Sequence, residues 1–282
     1  MNPAHSEPAT RTERLALVLN APLFIFLILV LVIPIVGIIL FSFSSEHRLE
    51  NYAEVLTSPV FVRVIATTVA LGAIVAFTTI ISAFIFSLWV LRLGAHAKAL
   101  AIGLIVLPFF TSYLLRALSW IPMLGYNGLV NRLLLGLGLA DTPLQLIYNP
   151  FAVVLGTSNV LFPVAVLPLL AAFHRIDQRL LDAAESLGAS RWTAFRRVFL
   201  PLVAPATLST AVMVFAVATG FYITPSVLGG GKVLLAPNLI ELLIHRRGEW
   251  GTGAALTIVL LVVFMSSIAL ARRLGHPRRR QS

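Results

Sequence analysis

Residues 174–201 read HRIDQRLLDAAESLGASRWTAFRRVFLP. This is the most polar part of the chain, and it separates two runs without formal charge, 142–173 and 198–231. A helix needs about 20 apolar residues to cross the hydrocarbon core of a bilayer, and each run is long enough. The stretch therefore reads as a loop between two membrane spans. Within it, Leu180, Ala184 and Leu187 share one helical face with Leu181 beside them, and Arg179, Asp182, Glu185 and Ser186 share the opposite face. Gly188 ends the pattern, as a residue after a helix C-terminus often does. Ser190 can cap a second short helix, on which Trp192, Phe195 and Phe199 form an apolar stripe. Pro201 is expected to mark re-entry into the next span. Physical chemistry leaves two roles open for such a pair of amphipathic pieces. One is a basic interfacial helix resting on lipid headgroups; the other is a helix docked in a groove of a partner protein.

Working outward, further charge-free runs cover 15–45, 64–91 and 250–271, and another lies between Lys98 and Arg116 with its apolar pattern continuing beyond. The expectation is an all-α polytopic membrane protein with six transmembrane helices. Composition agrees. Of 282 residues, 59% are hydrophobic and only 11% charged, against about 25% charged in a soluble domain. Mean hydropathy is +0.95. Polar groups could not cover the surface of so apolar a soluble protein, and a disordered chain is excluded for the same reason. A barrel strand would alternate apolar and polar residues, whereas Phe24–Ile33 and Ile258–Phe264 are apolar on every side. The first run is about twice the length of a signal-peptide core, with no small-x-small site after it, so it reads as a retained anchor. Pro34, Pro108, Pro163 and Pro168 fall within spans and read as packing kinks, which membrane helices tolerate.

Lys and Arg number 21 and Asp and Glu 11, a net charge of +10. Six spans put both termini on one side. That side holds fourteen Lys and Arg, from Arg11 and Arg14 through Arg92, Lys98 and the 174–201 loop to the tail Arg278-Arg279-Arg280. The other side holds seven, so the net charges are +9 and +1. The positive-inside rule makes the first side, with both termini and the 174–201 loop, cytoplasmic. Topogenic charge accounts for the whole asymmetry, and a nucleic-acid partner is not expected.

Catalytic signatures are missing. Gly229-Gly230-Gly231-Lys232 lacks the first Gly and the hydroxyl residue of a phosphate loop, with Ser226 and Val233 in their places. Gly156-Thr157-Ser158 begins like a nucleophile elbow, but Val160 replaces its last Gly. The six histidines have no metal-ligand spacing. Cysteine is absent, which removes disulfides and thiolate chemistry. Arg116 is the one candidate for a charge deep in a span, whereas proton relays are built on such charges. No catalytic, cofactor or metal residue is expected, and the chain reads as no enzyme. Leu129–Leu139 reads as a short interfacial helix on the outer side, and residues 237–247 as another short outer helix or a re-entrant one.

The 174–201 spacing resembles the EAA motif of binding-protein-dependent ABC importer permeases, written E-A-A-x3-G-x9-I-x-L-P. Asp182, Ala183, Ala184, Gly188, Val198, Leu200 and Pro201 stand at the matching offsets, with Asp for Glu and Val for Ile. Leu107 through Asp141-Thr142-Pro143, Phe221 through Gly230, and Trp250 with Gly253–Leu256 are similar to the spermidine/putrescine branch of that family, first permease subunit. The resemblance implies a type I importer permease fold over about 61–272, within a membrane domain 15–274 flanked by cytoplasmic tails 1–14 and 275–282. It implies a bacterial inner-membrane location, an ATPase dimer that carries the ATP and Mg, a second permease (identical or not), and an extracytoplasmic solute-binding protein. Its coupling loop would consist of Leu180, Leu181, Asp182, Ala183, Ala184, Glu185, Leu187, Gly188, Val198, Leu200 and Pro201. Leu180, Leu181, Ala184 and Leu187 would form one packing face. Asp182 would pair with an ATPase Arg, or else with Arg179 on its own helix. The solute would be spermidine, putrescine or a related cationic amine, with ferric iron, thiamine, phosphonate or an opine-like amine as alternatives. Tyr113, Asn159, Tyr222 and Thr224 are polar or aromatic residues inside spans and candidates for the path, or else packed helix residues. A secondary transporter or channel is the competing class. It would need coupling groups near the midplane and would leave the EAA spacing unexplained.

Overall fold

The computed structural model describes residues 11–44 and 49–275. The residues of the two tails beyond these bounds, and Arg48 in the first loop, lie outside the described residues. The described elements are helical: α1 (Arg11–Ser42), α2 (Glu50–Thr57), α3 (Pro59–Leu91), α4 (Ala95–Val106), α5 (Tyr113–Leu124), α6 (Leu129–Gly136), α7 (Pro150–His174), α8 (Gln178–Ser186), α9 (Arg191–Ala194), α10 (Leu200–Thr219), α11 (Ile223–Leu228), α12 (Ala236–Glu241) and α13 (Trp250–Gly275). A π-helical turn, Phe195–Phe199, joins α9 to α10, and another, Leu242–Arg247, follows α12.

Among the described residues, five helices are long and apolar enough to cross a membrane: Asn20–Ser42, Pro59–Leu91, Pro150–His174, Arg191–Thr219 and Trp250–Ala269. The third expected span is not a straight helix. Ala95–Phe110 and Tyr113–Gly136 are bent by 103°, and only together do they make a sixth span. The break has a local cause. Leu107–Phe110 tightens into a 3-10 turn around Pro108, and Thr111 leaves the helical region with ψ near 145°. Ser112 then caps α5 by accepting from Leu114 N at 3.3 Å. Pro108 thus breaks its span rather than merely kinking it, while Pro34, Pro163 and Pro168 stay within helices.

The core lies where α3, α7 and α10 meet. The buried residues of α3 include Phe61, Val64, Thr68, Leu71, Val75, Thr79, Ala83, Ser87 and Val90, steps of three or four that form one helical stripe. Val75, Ala83 and Val90 of this stripe pack in one cluster with the buried Leu161, Ala165, Leu169 and Phe173 of α7 and Val203 and Val214 of α10, while Phe61 and Val64 pack with Leu239 and Leu243, and Leu71 with Leu124 and Leu228. α1 is packed on α13, and none of its apolar window is buried within the chain. At the end away from the 174–201 loop, the Asn131 side chain clamps its loop, donating to Gly125 O (3.1 Å) and Leu144 O (2.9 Å) and accepting from Leu144 N. The two outer segments expected to be helical, after Gly128 and after Leu235, are α6 and α12.

Candidate functional site

The 174–201 loop folds as two capped helices around one glycine. Asp177 accepts from Arg179 N at 3.0 Å and starts α8. At its end, Gly188 N donates to Glu185 O and Ala189 N to Ala184 O, the paired bonds of a Schellman turn. That turn requires a left-handed residue, and Gly188 has φ +86°. Ser190 then accepts from Thr193 N at 3.2 Å and starts α9. Asp177 is a cap that the reading of the loop overlooked, although an Asp directly before a periodic run is its usual signal.

Within the chain, α8 turns only part of the Leu180–Leu181–Ala184–Leu187 face inward. Leu181 lies against the core beside Ile176 and Phe195, and Ala184 is half-buried. Leu180 is 49% exposed and Leu187 89%. The inward face is set by tertiary packing, and Leu187, at the C-cap, is carried past the last turn. Asp182, Ala183, Glu185 and Gly188 are exposed. Among the described residues no cation lies within 4 Å of Asp182, so the Arg179–Asp182 pair does not form; the ion pair present joins Glu185 to Arg191 at 3.9 Å across the turn. Both partners are exposed, and such pairs contribute about 0–1 kcal/mol.

Pro201 stands inside a continuous helix, which runs without interruption from Arg191 to Thr219. Proline cannot donate to the carbonyl four residues back. The π turn just before it absorbs the mismatch, with Leu200 N reaching back five residues to Phe195 O. Pro201 is exposed, and Val198 and Leu200 are half-buried. The expected Trp192–Phe195–Phe199 stripe is present as a ladder of rings. Trp192 stacks on Phe195 (5.7 Å) and Phe195 on Phe199 (5.4 Å). Phe199 meets Phe173 of α7 edge-on (5.3 Å), and Phe173 meets Phe84 of α3 (5.0 Å). The last two rings were not anticipated, because an isolated Phe in an apolar run carries no signal of its partner.

At the other end a second cluster forms where the chain breaks between α10 and α11. α11 lies against α5 and α7. The approach to α7 depends on Gly156, because a side chain there would run into Leu228 and Thr224. Tyr113 meets Phe221 edge-on at 5.9 Å, and the Arg116 guanidinium stands 5.1 Å from the centre of the Tyr113 ring. Asn238 donates to Ser226 Oγ (2.7 Å) and Tyr222 O (3.3 Å). Thr224 is fully buried, and among the described residues its hydroxyl has no hydrogen-bond partner, like the Nε and Nη2 atoms of Arg116. Three of the four path candidates, Tyr113, Tyr222 and Thr224, therefore gather around one break. Asn159 is exposed on α7 and makes no hydrogen bond among the described residues. Aromatic faces, a carbonyl and hydroxyls suit contact with a polar or cationic solute. Arg116 adds a positive charge that the path reading had not included.

No protein-family model matches the chain. It is 31% identical over 256 residues to the spermidine/putrescine transport system permease protein PotB of Haemophilus influenzae, covering 87% of this chain and 89% of that protein. With PotB of Escherichia coli K12 it shares 31% identity over 215 residues, 76% of this chain and 78% of that one. Among solved structures, that of a bacterial alginate ABC transporter in complex with alginate pentasaccharide-bound periplasmic protein aligns with a TM-score of 0.80 at 19% identity, covering 94% of this chain and 95% of that chain. The fold is thus that of an ABC transporter permease, a multi-pass membrane protein, and the chain belongs to the permease family that includes the PotB proteins.

Proposed function

We propose that this chain is one of two permease subunits of an ATP-driven importer that moves spermidine, putrescine or a related cationic amine into the cytoplasm. The observation that carries the reading is its 31% identity to PotB over most of both chains. The folded 174–201 loop supports the coupling role. It offers an outward surface of Asp182, Ala183 and Leu187 on a helix closed by a Schellman turn and anchored by an aromatic ladder. ATP hydrolysis belongs to a separate ATPase dimer, and a soluble binding protein delivers the solute from outside. Both termini and the 174–201 loop are cytoplasmic. Closure of the ATPase dimer moves α8, and α8 moves the core through α9 and α10. To convert a 1:99 population into 99:1, ATP must favour one state by about 5.5 kcal/mol, so the docked helix has to be held firmly.

Solute passes the break between α10 and α11, where Tyr113 and Tyr222 offer aromatic faces. No carboxylate of this chain is among the residues of that cluster, so neutralising acids come from the second permease or the binding protein. The test is reconstitution of both permeases, the ATPase and the binding protein in vesicles, with ATP-dependent uptake of spermidine and putrescine measured against thiamine and ferric iron. Polyamine uptake is expected. Robust uptake of another solute without polyamine uptake would reject the amine assignment and keep the transport role. Asp182→Lys should abolish uptake while the protein stays in the membrane; normal uptake by that variant would reject the coupling role.

A further inference from the structure

A cavity of about 400 Å³ opens where the last turns of α3 and α7, the first turn of α4 and the α8–α9 loop converge. Its lining combines four basic residues, Arg92, Lys98, His174 and Arg191, and one carboxylate, Glu185, with apolar side chains such as Leu88 and Phe173. Lys98 Nζ lies 3.2 Å from His174 Nε2, and His174 Nδ1 lies 2.8 Å from Leu170 O. The carbonyl can only accept, so Nδ1 carries the proton and Nε2 accepts from the ammonium. The histidine thus fixes the ammonium in place without neutralising it. Arg191 has Glu185 at 3.9 Å. Among the described residues no carboxylate lies within 4 Å of Arg92 or Lys98, and neither takes part in an ion pair. Two cations without a carboxylate within 4 Å among the described residues therefore line a cavity whose remaining lining is mostly apolar.

We propose that this cavity binds the phosphate of an anionic phospholipid, with the start of its acyl chains on the apolar side chains. The cations supply charge-assisted hydrogen bonds to a phosphate, and basic pockets between membrane helices at the cytoplasmic side suit such headgroups. A small soluble anion would leave the apolar lining wet, whereas a phospholipid satisfies both kinds of lining. The ends of α3 and α7 are span ends, so a lipid can enter sideways from its leaflet. The bound lipid joins the α8–α9 loop to the core beside the aromatic ladder, whose Phe173, Phe195 and Phe199 also line the cavity. The proposal is independent of the transported solute and of any ATPase; the transport orientation decides only which leaflet supplies the lipid.

The test is native mass spectrometry of the full-length chain in mild detergent, titrated separately with phosphatidylglycerol, phosphatidylcholine and inorganic phosphate. The wild type should retain phosphatidylglycerol in preference to the other two. Each lost charge should weaken retention about fivefold, so Arg92→Gln with Lys98→Gln should lose about 25-fold. Lys98→Arg should keep binding, and Arg246→Gln, a cation at the opposite end, should change nothing. Thermal melting of each variant checks that it is folded. Equal retention of phosphatidylglycerol and phosphatidylcholine, retention unchanged in a folded double variant, or binding of inorganic phosphate without lipid would each overturn the proposal.

Discussion

Gly188 has φ +86°, and a side chain placed there would meet nothing within 4 Å. Its substitution therefore carries a backbone cost with no packing cost. A Cβ in the left-handed region costs about 1–2 kcal/mol, and Asn tolerates it better than Ala. Gly188→Asn should leave the loop nearly as it is, Gly188→Ala should open it, and Gly188→Val should open it more. Limited trypsin cleavage within 175–197 reads this directly, because cleavage follows the open population. Gly188→Ala should cleave about five- to thirtyfold faster than wild type; an Ala variant as resistant as the Asn variant would remove the argument. At this scale much was legible. Gly188 and Ser190 act within a turn of themselves, so sequence spacing predicts them. The outward turn of Leu180 and Leu187 was not, because it depends on which side of α8 meets Ile176 and Phe195.

Elements show the same division. The helices α6 and α12 follow from spacing, but the core stripe of α3 does not, because that helix is apolar on all sides and its buried face includes Thr68, Thr79 and Ser87. Two further features escape spacing because charge-free runs say nothing about continuity. One is the 103° bend in the third span; the other is the unbroken Arg191–Thr219 helix that carries Pro201. The second has a mechanical consequence. The π turn keeps α9 and α10 in one continuous helix, so under the proposed coupling role movement of α8 and α9 would pass into the core along a single element. The ring ladder from Trp192 to Phe84 ties that helix to α7 and α3. Each ring pair contributes about 0.5–1.5 kcal/mol beyond its buried area. Phe195 stands in two pairs and is only half-buried, so Phe195→Ala should fold and yet loosen that tie. In the reconstituted system uptake should fall about tenfold, the equivalent of losing both pairs, while ATP hydrolysis persists. Loss of hydrolysis in proportion to uptake would show that Phe195 serves assembly, not transmission.

Over the whole molecule, two clusters lie at opposite ends of the α3–α7–α10 core. The loop with its basic cavity is at one end, and the α5–α11 break with Arg116 is at the other. The charge bias of +9 against +1 distinguishes these ends, and with it the orientation proposed for the transporter. The rule counts Lys and Arg in short loops near span ends. All of Arg92, Lys98, Arg175, Arg179, Arg191, Arg196 and Arg197 meet that condition at the loop end. Because the chain has no cysteine, a single introduced thiol reports its side without background. Ser186 in α8 and Thr142 in the loop after α6 are both exposed. A membrane-impermeant maleimide added to intact cells, with the outer membrane made permeable, should label Thr142→Cys at once. Ser186→Cys should label only after the inner membrane is opened. The reverse pattern would put the 174–201 loop outside, away from any source of ATP, and the coupling assignment would fall with the orientation. Labelling of both thiols in intact cells would instead mean that α7 (Pro150–His174), the helix between them, does not cross, and the assignment of the two ends of the core to opposite sides would fall with it.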